Sequence, residues 1–308
     1  LARPLPSGTV AGRIPGEIAA GLNLPDGVPV VTGGHDQACG ALGAGVTEPR
    51  VAMYATGTVE CISPAFHNPV IDDALFEANL CCYDFTAKQM YTTVAFNLTG
   101  GNMLKWYRDE FAFREVQEAE QADSEKSAYE LILDSMPESP TELLVLPHFT
   151  ATGTPYFDPE SVGAVVGLKL TTKREEFLRG LLEGVTYEMR LNMEILERAG
   201  IVIDRLRATG GGAKSVKWTQ LKADILNKPI AQVEVTEASC LGAAILACQS
   251  VAGGDIDDIV NRWVRVAGIV QPDAARAAYY EKMFRVFREL YPAVKRLWRR
   301  AEGQHDPA

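Results

Sequence analysis

An α/β fold is predicted from two features of the sequence. Short apolar runs of strand character alternate with helical periodicities along the whole chain, and several of the runs end in a glycine-containing turn. Composition agrees: 47 % of the 308 residues are apolar and 23 % charged, which is enough apolar material for a substantial core and too little charge for a disordered chain.

Residues 1–27 are rich in Pro and Gly and hold one short helical pattern over 15–21, a surface connection. Residues 28–32 read as a buried strand that ends in Gly33-Gly34 and delivers His35 and Asp36 at its C-terminal end, where ligands collect in open α/β sheets. The small residues over 38–45 predict a helix packed close to that sheet. Residues 51–62, with Gly57 between Thr56 and Thr58, predict a strand, a tight turn and a second strand. Another strand is expected over 91–98, closed by Thr99-Gly100-Gly101-Asn102 and followed by a helix through Lys105 and Trp106. The acidic stretch 114–130 reads as one solvated helix, and 143–146 as a buried strand.

The clearest helix spans 174–199. Leu178, Leu182, Val185, Met189, Met193 and Leu196 recur at alternating fours and threes, which puts them on one apolar face, and Gly200 stops it. A strand over 206–209 leads into Gly210-Gly211-Gly212 and a helix over 215–226. Ala231, Val233 and Val235 alternate as a strand, 241–248 is a helix of small residues, and one last helix is expected over about 273–300.

Formal charge is −10, from 30 Lys and Arg against 40 Asp and Glu, which argues against nucleic acid and anionic membranes as partners. The six cysteines show no C-x-x-C pair and the four histidines no zinc spacing, so no metal site is assigned and a reducing, cytoplasmic compartment is expected. No apolar run approaches bilayer length. A homodimer is expected only because dimers are the commonest assembly. The chain opens at Leu1 without an initiator Met and soon reaches what reads as a domain end, so it is expected to be part of a longer polypeptide.

The glycine motifs exclude two nucleotide-binding classes. In Gly210-Gly211-Gly212-Ala213-Lys214-Ser215, Ala213 stands where a P-loop needs its second glycine, and the glycines over 40–45 have the wrong spacing for a dinucleotide fingerprint. What remains is a set of turns, each directly after a strand: Gly33-Gly34, Gly57-Thr58, Gly100-Gly101 and Gly210-Gly211-Gly212. Glycine lets the backbone approach a ligand closely, and exposed amides at a following helix start attract phosphate. Any one turn is explained by structure alone; several together, with the Thr58 and Ser215 hydroxyls, point to a nucleotide cleft. Asp36 has two readings, as N-cap of the following helix or as a general base facing a substrate alcohol. A carboxylate with a reference pKa of about 4 cannot deprotonate an alcohol in the ground state. It can orient the hydroxyl and accept its proton late, which is all that phosphoryl transfer asks of it.

Gly33-Gly34-His35-Asp36-Gln37 followed by Gly40-Ala41-Leu42-Gly43, with Gly210 to Ser215, resembles the FGGY carbohydrate kinases, the family of xylulokinase and glycerol kinase. Thr154-Pro155-Tyr156-Phe157-Asp158-Pro159 looks like the loop before the family's C-terminal signature, and Gly163 to Glu183 follows that signature with Gly180 in place of its usual Ala or Ser. The resemblance implies an actin-like ATPase fold of two ribonuclease-H-like domains: residues 1–46 as the last piece of the first, sugar-binding domain and 47–308 as the complete second, nucleotide-binding domain. It implies Asp36 as catalytic base, with Gln37 and His35 on the substrate. Gly57 and Thr58 would contact phosphate, and Gly101, Lys105, Gly211, Gly212 and Ser215 the rest of the nucleotide; Lys105 stands where glycerol kinases carry an amide. ATP and Mg2+ are the implied cofactors, with no residue assigned to the metal. The family's Asp-x-Gly-Thr phosphate hairpin is not in this sequence. The expected activity is transfer of the γ-phosphate of ATP to a hydroxyl of a ketose or polyol, with a xylulose-type pentulose favoured. The alternative is an ATP-binding module without kinase activity; a nicotinamide-dependent oxidoreductase has little support.

Overall fold

A computed structural model describes residues 4–121 and 124–301. Strand β1 (Val10–Arg13), helix α1 (Gly16–Gly21) and strand β2 (Pro29–Val31) come first, with β1 and β2 paired antiparallel as a ribbon of their own. The strand expected over 28–32 is therefore present but not buried: among the described residues its one strand neighbour is β1, and Val30 is 47 % exposed. It still delivers the chain through Gly33 and Gly34 into α2 (Asp36–Gly43), whose residues from Ala38 to Gly43 are all buried.

Strand β3 (Val51–Thr56) turns at Gly57 into β4 (Glu60–Phe66), which is buried along its length. After α3 (Asp73–Glu77) come β5 (Tyr83–Asp84), β6 (Tyr91–Thr92) and β7 (Ala95–Asn97). The strand expected over 91–98 is thus two, both paired to β4. The break falls opposite Ser63 and Pro64, where the Thr92 hydroxyl donates to the Pro64 carbonyl at 2.7 Å in place of a ladder amide.

Helices α4 (Gly101–Phe111), α5 (Phe113–Ala119) and α6 (Ala128–Ser135) follow. The single solvated helix expected over 114–130 is two helices. The second starts afresh at a capping box, with the Glu130 carboxylate accepting from the Ser127 amide at 2.8 Å and the Ser127 hydroxyl accepting in return. Part of the intervening stretch, residues 122–123, lies outside the described residues. Nor is α5 merely solvated: Glu115 is buried and accepts from Arg174 at 3.0 Å.

Strands β8 (Leu144–Leu146) and β9 (Ala164–Val166) form a second small ribbon in front of α7 (Arg174–Arg198), the long helix that the apolar stripe predicts. All six stripe residues are buried, and Gly200 beyond its end has φ +86°. Strand β10 (Arg205–Thr209), α8 (Val216–Leu226) and β11 (Ile230–Val233) continue the α/β alternation, followed by α9 (Ala238–Ala252), α10 (Ile256–Trp263), β12 (Val266–Val270), α11 (Ala274–Phe287) and α12 (Leu290–Ala301). The final helix expected over 273–300 is broken at Arg288 and Glu289.

The main sheet runs β12-β11-β10-β3-β4-β6-β5, with β7 also on β4. Strands β3, β10 and β11 are parallel, while β4 and β12 run antiparallel to their neighbours, so the sheet is mixed. Period-two alternation along β3 sorts the layers: Ala52 and Tyr54 pack with α7 and α8 on one face, and Val51 and Met53 with α2, α9 and α10 on the other. Among the described residues no helix is long and apolar enough to cross a membrane.

Helices α2 and α9 cross at a seam of small residues. A Cβ built on Gly43 would overlap the Ala238 carbonyl, and one on Gly242 the Cys39 carbonyl. Backbone cannot yield as a side-chain tip can, so Gly43→Ala or Gly242→Ala should each destabilise the chain by about 1–3 kcal/mol or more, read from the denaturation midpoint. Gly21→Ala, where a Cβ meets nothing within 4 Å, is the matched control and should leave the midpoint unchanged.

Candidate active site

Strand β3 ends at Thr56, and the turn that follows closes when the Gly57 amide donates to the Val59 carbonyl at 3.0 Å, leaving Gly57 and Thr58 exposed. The start of α4 is laid directly on this turn. The Gly101 amide donates to the Gly57 carbonyl at 2.9 Å and the Asn102 amide to the Thr58 carbonyl at 3.1 Å. A Cβ on Gly101 would overlap the Gly57 carbonyl, and one on Gly100 would lie 2.9 Å from both Glu60 and Val59. These glycines are required by close approach of backbone to backbone.

The third turn rests on the same strand end. Gly210 takes φ +86°, where a Cβ would meet the Thr56 carbonyl, and a Cβ on Gly212 would collide with the Thr56 methyl and lie 2.8 Å from the Trp218 ring. Gly211 between them is exposed and has nothing within 4 Å of its Cβ position, so this stretch of backbone is open for approach. Three of the four glycine turns singled out in the sequence thus converge on residues 56–60.

Beneath them lies a charged network that sequence reasoning missed. Lys222 on α8 donates to Glu60 at 2.7 Å and to the Thr56 hydroxyl, while the Tyr54 hydroxyl donates to the other Glu60 oxygen. The ammonium sits 4.3 Å from the Tyr54 ring centroid and 4.5 Å from that of Trp218. Lys222 is 3 % exposed and Glu60 0 %. Desolvation pushes the Lys222 pKa down against the opposing pull of Glu60, and burial together with the Glu60 charge pushes the Tyr54 phenol well up. Two signals for this network were in the sequence: Glu60 opens an otherwise apolar strand, and Lys222 shares a helix face with Trp218 at i−4.

The fourth turn supplies the carboxylate. His35, not Asp36, occupies the N-cap of α2; its Nδ1 accepts from the Gln37 amide at 3.3 Å, and Asp36 Oδ1 accepts from the same amide at 2.8 Å. The cap position thus falls to a neighbour, and the Asp36 side chain stays 71 % exposed, 3.2 Å from His35 Nδ1. Ser239 on α9 donates to the Asp36 carbonyl at 2.9 Å and fixes the start of the helix. Tyr83 on β5 faces His35 with ring centroids 5.4 Å apart. Burial raises the thiols of Cys39 and Cys61 and the phenol of Tyr83, and the Asp36 charge adds to each. The side-chain carbonyl of Gln37 is buried without a donor among the described residues.

The remaining expected nucleotide contacts have structural partners of their own. Lys105 is exposed and pairs with Asp109 at 2.8 Å, and the Ser215 hydroxyl caps α8 by accepting from the Trp218 amide at 3.2 Å. A cavity of about 670 Å³ opens beside α4, lined by Asn102, Met103, Trp106, His148 and Phe149 among others. Among the described residues no group of three or more His, Cys, Asp or Glu is arranged to hold a metal ion.

Residues 52–251 match the family model described as the FGGY family of carbohydrate kinases, C-terminal domain. The chain is 28 % identical over 295 residues to a xylulose kinase of Staphylococcus epidermidis, covering 94 % of this chain and 56 % of that protein. It is 27 % identical over 307 residues to a gluconokinase of Bacillus subtilis, covering 99 % and 58 %. Among solved structures, a xyloylose kinase from Brucella ovis superposes with a TM-score of 0.82 at 26 % identity, over 95 % of this chain and 58 % of that one. A xylulose kinase from Rhodospirillum rubrum gives 0.78 at 28 % identity, over 94 % and 57 %. The chain therefore spans a little more than half the length of the relatives it matches.

The strand face beside Asp36 can be probed through its thiols. Cys61 is 7 % exposed, and burial, with the Glu60 and Asp36 charges, pushes its pKa up to about 12. The thiolate is the reactive species, so Cys61 and the buried Cys39 should resist an aromatic disulfide reagent at pH 8 until denaturant is added, while the exposed Cys81 and Cys240 react at once. Fast modification of Cys61, identified by peptide mass, would contradict this packing.

Proposed function

The chain belongs to the FGGY family of carbohydrate kinases, and on that premise we propose that it serves ATP-dependent phosphorylation of a sugar or polyol hydroxyl. The observation that carries this reading is the convergence of three glycine turns on residues 56–60, beside which the fourth turn leaves the Asp36 carboxylate exposed at the start of α2. Phosphoryl transfer needs little beyond positioning and charge stabilisation, and this arrangement offers a carboxylate for the acceptor and open backbone for the nucleotide.

In the proposed roles, Asp36 orients the acceptor hydroxyl and takes its proton as the oxygen attacks. His35 stands beside the carboxylate, which the Gln37 amide holds at 2.8 Å, and Gln37 offers a side-chain carbonyl acceptor that a hydroxyl donor would satisfy. The exposed Gly57 and Thr58 fit a phosphate, and the unobstructed backbone at Gly211, beside Gly212 and Ser215, fits the adenosine side. Gly101 holds the Gly57 turn in place, and Lys105, already paired to Asp109, brings charge to the rim. ATP would supply the transferable phosphoryl group. Mg2+ would accompany the ATP phosphates, for among the described residues no group of three or more His, Cys, Asp or Glu is arranged to cage it. Residues 1–46 are proposed as the end of a sugar-binding domain and 47–308 as the nucleotide-binding domain, so that the α2–α9 seam is the rigid joint carrying Asp36. A xylulose-type pentulose is the favoured acceptor, supported by the xylulose kinases among the relatives.

In the full-length enzyme, Asp36→Asn should cut turnover by about 10²–10⁴-fold, the usual worth of a general base, with ADP affinity unchanged within about twofold. If affinity and turnover collapse together, Asp36 is structural and the mechanism is wrong. A panel of ketoses and polyols read by ADP release then identifies the acceptor. The 308 residues assayed alone should show no sugar-dependent ADP release, because they span 56 % of the kinase they resemble.

A further inference from the structure

The reaction proposed above makes no use of the charged pair enclosed beneath the three turns. Lys222 has three donor protons; it gives one to Glu60 at 2.7 Å and one to the Thr56 hydroxyl, and two aromatic faces, Tyr54 and Trp218, enclose the ammonium. Each group it grips also bears on a glycine turn. The Thr56 carbonyl and methyl lie against Gly210 and Gly212, the Trp218 ring lies against Gly212, and Glu60 lies against Gly100. Thr56 and Glu60 are also the last residue of β3 and the first of β4, the two ends of the Gly57 turn.

We propose that Lys222 is a positioning residue for the nucleotide: by holding Thr56, Glu60 and Trp218 together, it sets the spacing of the three turns that an adenine nucleotide must bridge. The nucleotide part of this inference rests on the kinase reading, whereas the spacing part rests on the packing alone. A buried ion pair that served stability alone could be exchanged for neutral groups of similar size with little loss, because the desolvation cost leaves with it. Such an exchange would keep the fold but remove the hydrogen bond that orients Thr56, and that difference separates the two roles.

Two variants test it, the double substitution Lys222→Met with Glu60→Gln, and the milder Thr56→Val, which keeps the methyl contacts while removing the hydroxyl. Amide hydrogen exchange over residues 210–215 should become at least tenfold faster in both, with the amides of α7 unchanged, and the ADP Kd of the double variant should rise at least tenfold while its thermal midpoint stays near that of the parent. Unaltered exchange over 210–215 in the variants overturns the positioning role, and if the double variant fails to fold, Thr56→Val decides by the same measure. Faster exchange with an unchanged ADP Kd overturns the nucleotide part. If the parent chain itself binds no ADP, the kinase reading falls, and exchange alone then decides the spacing claim.

Discussion

Between Lys222 and Glu60, two opposite charges sit 2.7 Å apart with almost no access to water, and the architecture of the cleft is arranged around them. Neither charge could be there alone. Stripped of its partner, a buried ammonium or carboxylate costs several kcal/mol, and removing one member of such a pair typically costs about 3–5 kcal/mol. The partners meet because β3 and β4 are one hairpin and α8 packs across its end. Tyr54 donates to the second Glu60 oxygen, and the ring faces of Tyr54 and Trp218 enclose the ammonium, so the charges are solvated by protein. A network satisfied on so many sides has one low-energy geometry. The turns that rest on it inherit that geometry.

A second constraint governs the other side of the sheet. Helix α2 carries Asp36 at its first position, its residues from Ala38 to Gly43 are buried, and its crossing with α9 is at a distance that only glycine permits on both helices. The Ser239 hydroxyl bonds the first carbonyl of α2, so the helix is held at its start as well as along its seam. The carboxylate is exposed while the helix behind it is buried from Ala38 to Gly43. That combination suits a group that must meet a substrate from solvent and still be aimed accurately. The two constraints act on opposite faces of β3, through Tyr54 on one and Met53 on the other, so one strand relates the seam behind Asp36 to the turns above Lys222.

The glycine turns were legible because each carries a composition that strands and helices avoid, and their positions after strands follow from local pattern. The readings that failed share a cause. The acidic run over 114–130 is two helices because Ser127 and Glu130 form a capping box that overall polarity conceals. The last helix breaks at residues 288–289, where the apolar spacing passes on without interruption. The apolar run at β2 suggested burial, yet the neighbours that would bury it are not part of its two-stranded ribbon. Asp36 looked like the natural cap for its helix, and its neighbour His35 takes that position.

Sequence alone determined the α/β class, the long helix α7, the family resemblance and the set of residues worth examining, because hydrophobic period and glycine placement are local properties of the chain. Tertiary structure decided which of those residues meet. The turns at 57, 101 and 210 converge only when parallel pairing of β10 with β3 and antiparallel pairing of β7 with β4 set their strand ends side by side. Lys222 and Glu60 are 162 positions apart, so their pairing leaves no periodic trace along the chain; it exists only because burial makes each charge depend on the other.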